Sequence, residues 1–104
     1  MIQMDPGRCH GITGCRNVIK LIEAENLHFS AHTWSSALNT AASVHLHATS
    51  SQGKCMDFKP HDSPMQHELV ADPWVQEDGY LQVRGSPGLG VTVLEDVVQK
   101  YLLT

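Results

Sequence analysis

Two helix-length segments, each with one apolar face, alternate with short apolar stretches, and this alternation limits the chain to very few folds. Between Thr13 and Asn26 the residues Cys15, Val18, Ile19 and Ile22 recur at i, i+3, i+4 and i+7, which predicts a one-sided helix with Thr13 as its N-cap. Between Ser35 and Thr49 the face Leu38, Ala41, Ala42, His45 and Thr49 predicts a second helix, capped by Ser35 or Ser36. Short strand-like stretches flank them: Met1 to Met4 leading to Asp5, Leu27 to Ala31 leading to His32, and, after a polar turn over 50–54, Cys55 to Phe58. Strand, helix, strand, helix, strand is the pattern of parallel βαβ units, so the fold class is α/β.

The chain changes character after residue 59. Residues 60–74 hold three prolines and predict an irregular path with one helical turn near Met65 to Val70. Tyr80 to Val83 alternates like a short strand, residues 85–90 form a tight loop, and Leu94 to Leu102 has the spacing of a terminal helix. The expected organisation is therefore βα units over 1–59 and a tail over 60–104 that packs on them in one compact domain. Trp74 and Tyr80 are the expected anchors of that tail.

Composition excludes several functional classes. An apolar content of 41% with Gly and Pro at turns is that of a globular chain. No apolar run approaches the roughly 20 residues of a membrane span, and the start MIQMDPGR has no basic or apolar leader. A formal charge of -4 argues against nucleic acid as a partner. Cys9, Cys15 and Cys55 are odd in number with no CxxC pair, which fits reduced thiols and a cytoplasmic location.

Asp5 and His32 carry the chemistry. Each stands at the end of a predicted strand, and in a β/α barrel the carboxyl ends of successive strands form one mouth, so the two can meet there. A carboxylate bonded to one ring nitrogen fixes the imidazole tautomer and raises its basicity, as a general base requires. Asp57 stands at the third strand end. Trp34 can line a pocket beside His32 or pack against a neighbouring helix. His45, on an apolar helix face, reads as a core histidine with one hydrogen-bond partner. No HExxH motif or zinc-spaced Cys/His cluster occurs, so no native metal site is expected. GSPGLG lacks the Lys-Ser/Thr pair of a phosphate loop.

These residues resemble the mandelate racemase and muconate lactonizing enzyme-like branch of the enolase superfamily, over the carboxyl-terminal part of its barrel domain. The resemblance lies in Asp5 with the Gly11-Ile12-Thr13-Gly14 turn, in AENLHFSAHTWSS around His32, in CMDFKP around Asp57, and above all in the tail DGYLQVRGSPGLGVTV. It implies that Asp5 and His32 are a general-base dyad at the sixth and seventh barrel strands. Asp57 would stand at the eighth, where glutamate is usual, as a third catalytic residue that orients the substrate or donates a hydrogen bond to the developing enolate, and His10 takes the place of a usual glycine. A full barrel needs roughly 250 residues, against 104 here, so about three of eight units are expected.

The strands that carry the family's magnesium ligands are not among those units. No cofactor is expected in this chain, magnesium belonging to the complete enzyme. The resemblance implies acid-sugar dehydration or racemisation, with a carboxylate substrate only after complementation by the missing part of the barrel, and no activity alone. The competing expectation is a non-catalytic, self-associating or partner-binding module. Unpaired sheet edges and an apolar inner face would then favour a homo-oligomer, most simply a dimer.

Overall fold

The computed structural model describes residues 1–59 and 61–103; the expected tail boundary at Pro60 and the terminal Thr104 lie outside them. Three strands, β1 (Ile2–Met4), β2 (Phe29–His32) and β3 (Gly53–Asp57), alternate with helices α1 (Gly11–Ala24) and α2 (Ala37–His47). A single π-helical turn (Pro64–Glu68) and a short helix α3 (Glu95–Lys100) follow. The strands form one parallel sheet in the order β1-β2-β3, as the βαβ reading requires. Among the described residues no helix is long and apolar enough to cross a membrane.

Strand alternation assigns the two faces of the sheet. Met4 and Phe29 turn toward the helices and pack with Cys15, Ile19, Ile22 and Leu46. The opposite face carries Gln3 beside Ser30 beside Cys55, and above them His32 beside Asp57. That face is polar, so the apolar inner surface expected from the sequence is replaced by hydrogen-bonding groups.

Helix α2 is enclosed from both sides. Leu46 joins the sheet-side core, whereas Ala37 meets Leu69 and Val70, and Ala41 and Val44 meet Trp74. The alanines leave room for the tail to approach. Trp74 is buried, donates its indole N–H to the Gln82 carbonyl at 3.0 Å, and is covered by the Arg84 guanidinium 3.9 Å above the ring. His45 ties the same helix to the tail through a single 3.2 Å bond from Nε2 to the Leu89 carbonyl, and is half-buried.

Three local expectations are corrected. Helix α1 begins at Gly11, and its N-cap is His10 rather than Thr13, with no side-chain cap bond. The turn runs directly into the helix through Gly11 N to Pro6 O at 2.9 Å, which draws Thr13 into the first helical turn. Residues 80–83 form no ladder strand; the tail has isolated bridges between Val70 and Val93 and between Glu77 and Tyr80. Tyr80 anchors nothing, being 78% exposed. It follows a two-residue turn with positive φ at Asp78 and Gly79, a geometry that closes a tight hairpin and here leaves Tyr80 facing outward. Ser36 does cap α2, accepting from Asn39 N at 3.4 Å.

The cap at His10 has φ 58° and ψ 40°, left-handed backbone that disfavours a side chain. His10 is exposed. His10→Gly is therefore expected to stabilise the fold by about 0.5–1 kcal/mol, after the greater entropy of the unfolded glycine is deducted. Urea titration should show a higher midpoint with an unchanged slope; an equal or lower midpoint contradicts the strain argument.

Candidate active site at the strand ends

Because β1 and β2 are parallel and adjacent, their carboxyl ends lie side by side. Asp5 follows β1, with its side chain buried, and its Oδ2 lies 2.7 Å from His32 Nδ1. Its Oδ1 accepts the Gly7 N–H at 2.8 Å, and Arg8 Nε stands 3.7 Å from Oδ2. Burial raises the Asp5 pKa, yet the hydrogen bonds from His32 and Gly7, with the Asn39 carboxamide nearby, together outweigh it and hold the carboxyl below its ordinary value. An ionised carboxylate has no proton to give. Nδ1 is therefore the donor, and in the neutral ring the Nε2 lone pair is left on the far side.

A group with a lowered pKa adds stability above its ordinary value and loses it as pH falls through the folded-state value. Stability measured by urea unfolding should thus decline on acidification below about pH 4, and Asp5→Asn should weaken that dependence. An unchanged acid limb in the variant would show that Asp5 does not carry it.

The third strand end completes the arrangement. Asp57 lies opposite His32 in the β2–β3 register. Its Oδ1 accepts the Trp34 indole N–H at 3.0 Å, and its Oδ2 accepts from Gln3 Nε2 at 3.2 Å, across β2. Thr33 Oγ1 donates to the Asp57 carbonyl at 2.7 Å and fastens the two strand ends together. Trp34 is 44% exposed and stacks beside the His32 ring, with centroids 6.4 Å apart and planes 20° apart. It stands beside His32 rather than against a helix. All four residues singled out in the sequence, Asp5, His32, Trp34 and Asp57, are thus brought together.

Sequence reasoning missed Gln3, Arg8, Cys9 and Asn39. Gln3, Arg8 and Cys9 line a small cleft with Asp5 and His32. Gln3 could have been found from strand alternation, since it shares a face with Asp5; Arg8 and Cys9 sit in an irregular turn that no periodicity marks. A larger groove, lined by His47, Lys54, Met56, Phe58, Tyr80 and Leu81, lies against the other side of β3 and contains none of the four residues.

The cluster does not suit magnesium. Asp5 is engaged by His32 and Gly7, and Asp57 by Trp34 and Gln3. Among the described residues no group of three or more His, Cys, Asp or Glu side chains could hold a metal ion.

Parallel βα units with a carboxylate and a histidine at adjoining strand ends define a portion of a β/α barrel and its mouth. The chain belongs to the enolase C-terminal domain-like family, whose sequence model matches residues 1–97. It is 30% identical over 102 residues to a D-gluconate dehydratase of Thermoproteus tenax, covering 97% of this chain and 20% of that enzyme. It is 22% identical over 103 residues to a D-xylonate dehydratase of Haloferax volcanii, covering 99% of this chain and 25% of that enzyme. The chain therefore spans a fifth to a quarter of the length of these curated relatives.

Solved structures agree on the fold. A mandelate racemase/muconate lactonizing enzyme-like protein of Rubrobacter xylanophilus superposes with a TM-score of 0.76 at 24% identity, over 90% of this chain and 24% of that one. An enolase of the mandelate racemase subgroup from Agrobacterium tumefaciens gives 0.82 at 20% identity, over 96% of this chain and 27% of that one.

Proposed function

We propose that this chain supplies the proton-transfer side of an acid-sugar dehydratase or racemase site, with His32 as general base and Asp5 as the carboxylate that orients it. The observation that carries the reading is the 2.7 Å contact between His32 Nδ1 and Asp5 Oδ2. With Nδ1 so engaged, Nε2 is the atom that removes the proton from the carbon next to a substrate carboxylate, and the ring becomes a cation held beside the Asp5 charge. Trp34 offers an exposed aromatic face to the sugar chain beside that nitrogen. Asp57, an acceptor with both oxygens fixed, bonds a substrate hydroxyl.

A lone imidazole is far too weak for such a carbon acid, since electrostatic stabilisation of the developing enediolate supplies the larger share of the rate. The described residues do not suit the metal that would provide it, which supports the reading that these 104 residues alone do not carry out the exchange. Activity belongs to an assembly in which the rest of a barrel adjoins β1 and β3, the outer strands of the sheet. The test is a graft: this chain replaces the matched fifth of the Thermoproteus D-gluconate dehydratase, and exchange of the substrate proton is followed in deuterated water. The expected result is exchange by the graft, slowed at least about a hundredfold by His32→Ala, and none by the isolated chain. Exchange that keeps the unsubstituted graft's rate in His32→Ala, or that the isolated chain performs, refutes the proposal. A module that only binds a partner would give a folded graft with no exchange at all.

A further inference from the structure

We infer that Asn39 is the positioning residue of the His32–Asp5 pair, one carboxamide locking the turn that bears the acid to the strand end that bears the base. The inference rests on the reading of that pair as base and orienting carboxylate. The β1–β2 ladder ends at Met4 opposite Ala31. Asp5 and His32 each stand one residue beyond that last pair, and the chain leaves the sheet for a turn directly after Asp5, so sheet pairing does not hold that turn. Asn39 spans the gap. From the first turn of α2 its Oδ1 accepts the Gly7 N–H at 2.9 Å, and its Nδ2 donates to the His32 carbonyl at 3.2 Å.

The orientation of the carboxamide is fixed by its neighbours. Turned over, it would set a donor against the Gly7 N–H and an acceptor against the His32 carbonyl. The side chain is buried at 7% exposure, and its own backbone N–H is held by the Ser36 hydroxyl. Gly7 shares its N–H between Asn39 Oδ1 and Asp5 Oδ1, and a Cβ there would come within 3.2 Å of the Asp5 oxygen and 3.3 Å of the Asn39 oxygen. The turn thus sits close enough to both acceptors that a side chain at Gly7 would crowd them. A hydrogen bond weakens steeply with lengthening and misalignment, so a shift of a few tenths of an ångström between the strand ends is felt at the dyad.

The experiment is ¹⁵N NMR of the histidine rings in the full chain. Wild type should show His32 as the Nδ1–H tautomer with a slowly exchanging ring proton. Asn39→Ala, and Asn39→Asp, which keeps the acceptor and the volume but removes the donor, should each speed exchange of that proton at least about tenfold and mix the tautomers. Thr49→Ala weakens the carboxyl end of the same helix, where Thr49 Oγ1 donates to the Leu46 carbonyl at 2.7 Å, without touching Asn39 or either strand end, and should leave the His32 signal as in wild type. A folded Asn39 variant with wild-type His32 exchange overturns the inference. Equal loss in Thr49→Ala also overturns it, because general loosening of the helix would then suffice. Should neither Asn39 variant fold, exchange of the Asn39 Nδ2 protons in wild type decides: protection supports the clamp onto the His32 carbonyl, and exchange at the rate of an open side-chain amide overturns it. If wild type itself lacks the Nδ1–H tautomer, the reading of the dyad fails first and separately.

Discussion

His32→Ala in the grafted barrel is expected to slow deuterium exchange by a factor of about 10²–10⁴, the range a positioned acid-base side chain contributes. The loss should fall on kcat with little change in KM, because Nε2 acts on the reacting carbon and holds little of the bound substrate. Asp5→Asn leaves a side chain of the same shape at 2.7 Å from Nδ1 but removes the charge that favours the imidazolium. Its rate should lie between wild type and His32→Ala. An Asp5→Asn graft as fast as wild type would show that the carboxylate only builds the turn, a role that Asp before Pro-Gly often has.

Trp74→Ala should cost about 3–5 kcal/mol, the range for removing a large buried aromatic. A domain of this size has a total stability of roughly 5–15 kcal/mol, so the variant should be partly unfolded or close to it. The indole is 4% exposed and packs on Ala41 and Val44, with Arg84 above the ring and the Gln82 carbonyl on its N–H. Its loss opens a void beside α2 and leaves that carbonyl without its donor. Tyr80→Ala, six residues further on, removes a side chain that is 78% exposed and should change stability by less than about 0.5 kcal/mol. Urea titration of the two variants checks both figures. Comparable midpoints would mean that the tail is held by something other than Trp74.

The strand-helix alternation was legible because Cys15, Ile19 and Ile22 really do form the buried stripe of α1. Helix α2 was harder to read. Eight of its eleven residues are buried, polar ones among them, so it has no solvent face against which a periodicity could stand out. The start of α1 was missed because capping rules look for a side-chain acceptor, and His10 provides only a left-handed backbone turn. Tyr80 was misjudged because alternation over 80–83 is equally satisfied by an extended arm whose one β-bridge among the described residues is that of Tyr80 to Glu77. In the site, Asp5 and His32 could be placed because strand ends converge. Asn39 could not, since its value lies in two backbone partners 32 and 7 residues away in the chain.

Enclosure of α2 has a consequence for inheritance. Its near side holds the strand ends through Asn39 and its far side receives the tail at Ala37, Ala41 and Val44. A bulkier side chain at Ala41 must displace either Trp74 or the helix, and a displaced helix carries Asn39 with it. The strand-end cluster and the carboxyl-terminal arm are therefore not free to drift apart over generations: an accepted change on one side of this helix narrows what the other side can accept.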